Sequence, residues 1–130
     1  MQDSTSLPID RRAQRRAVEA FIAAARTGDF EALLAVLDPN VVLRSDRGTG
    51  VVDIRGADNV GRRALAFAQI YVVARRVLVN GIDGMATFRT AGELMSILAF
   101  TVHGDKIVEI FVAADPARLG QLAQSGLCDT

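Results

Sequence analysis

The residues of this 130-residue chain that could do chemistry are one histidine, a handful of carboxylates and a stretch rich in arginine and glycine. The histidine, His103, stands in VHGDKI. A general base needs a pocket within reach of substrate and a partner that orients it. A histidine followed by Gly104 and Asp105 belongs instead to a hairpin tip, where solvated side chains are the rule. With one histidine and one cysteine, Cys128, the chain has no ligand set for zinc and no Cys/His nucleophile pair. We therefore expect neither a metal nor a cofactor.

The carboxylates Asp46, Asp53, Glu93, Glu109 and Asp115 lie in or beside strand-like runs. A buried aspartate, made harder to ionise by desolvation, could abstract a proton inside a cavity. Asp46 and Asp115 fall at strand ends, however, where carboxylates cap turns and helices, and Asp115 precedes Pro116 as an N-cap would. Glu109 alternates with Val108 and Ile110, which turns it away from a core. No catalytic residue is assigned on this basis.

The stretch RSDRGTG, residues 44–50, lies between two apolar runs. Neither GxGxxG nor GxxxxGK[ST] occurs, and no helix follows directly to offer N–H donors to a phosphate. A hairpin with glycines at positive φ accounts for Gly48 and Gly50. The basic clusters RRAQRR (11–16), Arg62-Arg63 and Arg75-Arg76 lack interleaved aromatics, and fifteen basic residues balance fifteen acidic ones. A solvated face explains them better than a nucleic-acid grip, so no direct nucleic-acid partner is expected.

The elements that must position these residues follow from periodicity. Residues 1–10 form a polar tail, and the segment MQDSTSLPIDRR lacks the apolar core of a signal peptide. From Ile9 to Thr27, Ala13, Ala17, Phe21 and Ala25 recur every four residues, with Val18 and Ile22 widening the stripe into an amphipathic helix. Gly28 stops it, Asp29 caps a second helix over FEALLAVL, and Asp38-Pro39 ends that one. VVLRSD and GVVDI predict strands around the 44–50 loop, and NVGRRALAFAQI a third helix. After Tyr71, the runs YVVARRVLVN, GMATFR, ELMSILAFTV and KIVEIFVA, separated by turn formers, predict antiparallel strands. PARLGQLAQ predicts a short closing helix, and residues 125–130 a tail. A curved sheet wrapped around helices from one side, an α+β arrangement, satisfies this order; the absence of a βαβ pattern argues against a doubly wound nucleotide-binding fold. Phe67, Tyr71, Phe88 and Phe100 would line a cavity if the cone holds one. No run approaches membrane-spanning length, so a soluble, cytoplasmic domain without a membrane partner is expected. Fourteen of the fifteen basic residues are arginine, which suggests a GC-rich bacterial genome.

Taken together and in order, FIAAARTGDFEALLAVLDPNVVLRSDRG, IRGADNVGRRALAFA, VLVNG, ILAFTVHGDKIVEI and VAADPARL resemble the SnoaL-like domain of nuclear-transport-factor-2-like fold. The version attached to the carboxy end of certain extracytoplasmic-function RNA polymerase sigma factors is the most similar. The resemblance implies a cone: a mainly antiparallel six-stranded sheet around three helices, with a short C-terminal helix, over residues 11–124. It also implies regulation of transcription initiation by contact with sigma-factor regions or RNA polymerase, in cis or in trans, together with a small apolar ligand in the cone and homodimerisation.

Two motifs of that extension carry over residue by residue. An aspartate followed by a glycine run falls on Asp46, Arg47, Gly48, Thr49 and Gly50, with Arg47 and Thr49 standing where the pattern has glycine. An Asn/Asp-Pro-x-x-Leu motif falls on Asp115, Pro116 and Leu119. The resemblance equally allows an enzyme of polyketide-cyclase or ketosteroid-isomerase type, or a dimerising scaffold, because function lives in the site rather than the fold. Nothing before residue 12 resembles a helix-turn-helix, so the chain is expected to be either an excised sigma-factor domain or a stand-alone relative.

Overall fold

The computed structural model describes residues 10–68, 72–89, 92–115 and 128–129. Helix α1 spans Arg11–Thr27 and opens on Asp10, whose carboxylate accepts from the backbone N–H groups of Arg12 and Ala13. Its buried face holds Ala13, Ala17, Val18, Phe21 and Ile22 of the predicted stripe, with Gln14 and Ala24 added and the predicted Ala25 only half-buried. Gly28 closes it in the left-handed conformation, and Asp29 caps α2, Phe30–Val36, through the Ala32 N–H. Helix α3 spans Ala57–Ala68 and buries Val60 and Gly61.

The strands are β1 (Leu37–Asp46), β2 (Val51–Arg55), β3 (Val72–Val79), β4 (Ile82–Arg89), β5 (Leu94–His103), β6 (Lys106–Ala113) and the two-residue β7 (Cys128–Asp129). Their order in the sheet is β2-β1-β6-β5-β4-β3-β7. All neighbours are antiparallel except β1 and β6, which run parallel with Leu43 opposite Ile110. The architecture is thus α+β, with three helices against six principal strands.

One expectation is corrected at the second helix. The helix stops at Val36, one residue before the end of the predicted FEALLAVL and ahead of Asp38-Pro39, and the chain is already extended from Leu37, which pairs with Ile107. The gain from that pairing is not visible in a local window, because its partner lies far along the chain. Of the predicted tail 1–10, Asp10 is instead the cap of α1; residues 1–9, Tyr71, Pro116, Leu119, the closing helix 116–124 and most of the final tail lie outside the described residues.

The sheet curves at irregularities in register between Leu37 and Val42, Thr87 and Phe88, and Thr101 and Val102. An extra residue on one strand bends it and increases its twist. Inside the curve, Leu33, Leu37, Val18, Val41, Val60, Ile107 and Ile110 are fully buried. Phe21 of α1 meets Phe100 of β5 edge-to-face, ring centroids 5.2 Å apart. Buried Gln14 ties α1 to the sheet, its amide donating to the carbonyls of Asp83 (3.0 Å) and Phe100 (2.9 Å). These contacts pack one end of the curved sheet, and the open space lies at the other, wide end.

Candidate functional site

A cavity of about 690 Å³ opens at that wide end. Its floor comes from Phe21, Ile22 and Ala25 of α1 together with Leu43, Met85 and Leu98 of the sheet. Ala64, Phe67 and Ala68 of α3 form one side, and Ala74, Leu94 and Val112 continue the apolar surface. Three small hydroxyl side chains interrupt it: Ser45, Thr87 and Ser96. The Thr87 and Ser96 hydroxyls are buried and hydrogen-bonded to each other across β4 and β5 at 2.5 Å. Strand alternation explains the selection, since 85 and 87 on β4 face the cavity while 86 and 88 lie on the opposite face.

The wall is apolar but its charge is lopsided. Arg26, Arg47, Arg63 and Arg89 line it, against a single carboxylate among the described residues, Glu93. Glu93 is ion-paired with Arg89 at 3.1 Å, and the Arg26 guanidinium donates to the Ala74 carbonyl at 3.2 Å. Arg47 and Arg63 have no carboxylate partner among the described residues. Arg62, next to Arg63, turns outward and pairs with Asp58 at 3.0 Å.

The loop between β1 and β2 forms part of the rim. Its geometry is built from Asp46, whose carboxylate accepts from the Gly48 N–H at 2.9 Å and whose carbonyl accepts from the Ala114 N–H at 2.9 Å. The Arg47 N–H donates to the Gly50 carbonyl, closing the turn. Gly48 has φ +88, and a Cβ there would lie 2.9 Å from Cγ of Asp115. The two segments singled out in the sequence, 46–50 and the one beginning at Asp115, are therefore in contact. Arg47 adds its side chain to the cavity wall, and so does Ala114, beside Asp115.

The remaining sequence candidates are dispersed. Phe67 lies on the cavity wall. Phe88 does not: it is on the opposite face of β4, with the Arg75 guanidinium 5.5 Å above its ring. Phe100 also lies off the wall, because its ring is spent on Phe21 in the packed end. Asp53 is ion-paired with Arg44 (3.1 Å) and Arg55 (3.8 Å) on the β1–β2 ribbon. Glu109 is half-buried off the wall, and His103 is exposed at the β5–β6 turn. No group of three metal-ligating side chains occurs among the described residues. Within them, no helix is long and apolar enough to cross a membrane.

Sequence reasoning missed Arg47 and Arg63 as cavity residues. A signal for Arg63 was present: it stands four residues before Phe67, and such pairs share a helix face.

Comparison with known proteins decides the kinship. Over 114 residues the chain is 37% identical to the Mycobacterium tuberculosis protein named probable ECF RNA polymerase sigma factor SigI, an alignment covering 85% of this chain and 38% of that protein. The crystal structure of the M. tuberculosis extracytoplasmic function sigma factor SigJ superposes with a TM-score of 0.67 at 26% identity, over 82% of this chain and 44% of the other. The chain has a nuclear-transport-factor-2-like, SnoaL-like fold related to the C-terminal region of these sigma factors.

A nuclear-transport-factor-2-like protein from Mesorhizobium loti, at 12% identity, shares the fold of this chain with a TM-score of 0.65, over 85% of this chain and 97% of that one. No protein-family model matches the sequence. The chain spans about two fifths of the length of the sigma factors it matches.

Proposed function

We propose that this SnoaL-like domain regulates an extracytoplasmic-function sigma factor by protein contact, through the 46–50 loop and the adjoining Asp115, with a small ligand in the cone. The observation that carries the reading is the contact of Asp115 with Gly48. Two segments distant in sequence meet there, and the resemblance to sigma-factor extensions places one of its motifs on each. The neighbouring surface suits a protein partner. Val51 and Val52 of edge strand β2, directly after the loop, are 57% and 52% exposed. Exposed apolar side chains on an edge strand favour association.

The enzyme reading needs an acid or base inside the cone. Among the described residues the wall offers only Glu93, already paired with Arg89, while Asp46, Asp53, Glu109 and His103 lie off it. The regulatory reading is therefore preferred.

Its test is co-expression of the chain with tagged sigma-factor regions from the same genome. Co-purification is expected, and Asp46→Ala and Gly48→Val are expected to weaken it while circular dichroism shows the fold retained. Undiminished capture by both folded variants would remove the loop from the mechanism.

A further inference from the structure

We propose that the cone is a site for an amphipathic organic acid: an apolar body on the cavity floor, with one acidic head held at the rim by Arg47 and Arg63. The inference rests on the reading that the cone takes a small ligand, and it names the chemical class of that ligand.

The argument starts from charge. The whole chain is balanced, fifteen basic residues to fifteen acidic. The cavity wall is not, with four arginines to one glutamate among the described residues. Glu93 is committed to Arg89, and Arg26 to a backbone carbonyl. Arg47 and Arg63, both solvent-exposed, are left bordering the same space, the first from the β1–β2 loop and the second from α3. Their nearest acidic neighbours in sequence are engaged elsewhere: Asp46 binds the Gly48 N–H, and Asp58 binds Arg62.

Two like charges brought to one concave, partly apolar surface repel each other and raise the local potential for anions. A guanidinium presents a planar fork of donors that matches a carboxylate, so a single acidic head can relieve both. The floor sets the other half of the ligand. Phe21, Leu43, Met85 and Leu98 offer only apolar contact, and a cavity of about 690 Å³ has the size of a small-molecule pocket. A purely apolar guest would fill the floor and leave the two guanidiniums unanswered. A highly charged one would pay for burying its charges against the floor.

The experiment uses the purified chain at low ionic strength, titrated calorimetrically with 2-naphthoate and, separately, with its uncharged counterpart 2-naphthamide. The expected result is that 2-naphthoate binds at least about tenfold more tightly than the amide. Arg47→Gln and Arg63→Gln should each weaken the acid by roughly three- to tenfold, and the pair together by more than about tenfold, while leaving the amide unaffected. Ala68→Trp, which fills the cavity from α3, should abolish binding of both. Equal affinity for acid and amide, or unchanged acid binding by the double variant, overturns the proposal; if that binding is lost in Ala68→Trp, the cone still stands as a site for neutral ligands. Failure of both probes to bind at millimolar concentration overturns the proposal and the ligand reading with it.

Discussion

Gly48→Ala gives the most direct check on how the rim is built, because its cost divides into two parts that can be measured separately. The first part is backbone. At φ +88 an L side chain is strained, at about 1–2 kcal/mol. The second is steric. The new Cβ would stand 2.9, 3.0 and 3.2 Å from Cγ, Oδ1 and Oδ2 of Asp115. All three atoms lie beyond the Asp115 Cβ, so Asp115→Ala removes every one of them. Displacing the carboxylate by a few tenths of an ångström costs on the order of 0.5–1.5 kcal/mol.

Gly48→Ala alone should therefore lose about 2–3 kcal/mol, a fall in Tm of roughly 8–12 °C for a domain of this size. In the Asp115→Ala background the same change should cost only its backbone part. The readout is equilibrium urea unfolding followed by far-ultraviolet circular dichroism, on wild type, both single variants and the double. The double variant should be more stable than additivity predicts by about 0.5–1.5 kcal/mol. Additivity within about 0.3 kcal/mol would mean that Asp115 does not rest on Gly48, and the shared surface built from the two segments would fall.

Other substitutions probe the scaffold. Gln14→Ala should cost about 1–3 kcal/mol in the same assay, since it strands two carbonyls that the amide now serves; a loss under half a kcal/mol would mean that water serves them equally well. Gly84→Ala should cost at least about 1–3 kcal/mol, because its Cβ would stand 2.6 Å from the Leu98 carbonyl oxygen, a backbone atom that cannot swing aside. Wild-type stability in that variant would contradict the tight spacing of β4 and β5. Asp53→Asn breaks solvent-exposed ion pairs with Arg44 and Arg55 and should change stability by less than about 1 kcal/mol. A larger loss would show that the β1–β2 ribbon is anchored by charge.

What could be read in the sequence was local. The α1 stripe of Ala13, Ala17 and Phe21 is the buried face, and Gly28 with Asp29 forms the predicted corner, because capping and periodicity act within a few residues. The 44–50 turn was legible for the same reason. The features that escaped depend on distant partners. Leu37 becomes strand through Ile107. Phe88 and Phe100 fall on opposite faces of the sheet because a register shift after Thr87 and the β5 alternation decide which side chains point inward. Of the arginines read as solvated, Arg12 and Arg16 are exposed on α1, and Arg63, also exposed, borders the cavity, as does the loop residue Arg47. Only the fold of the loop over the rim assigns Arg47 that position, and no composition rule contains it.

The single parallel joint in the sheet, β1 against β6, governs the order in which the molecule can assemble. The β3–β4, β4–β5 and β5–β6 pairs join strands adjacent in the chain and can form as soon as their residues are available. The β1–β6 joint must instead close a loop containing β2, α3 and three strands, and entropy makes such closures slow. On the ribosome, Val41 and Leu43 have no partner strand on that side until Lys106–Ala113 has emerged. The β1–β2 pair can form early, but the other edge of β1 waits for a late-synthesised strand and during that interval is open to pairing with the wrong chain.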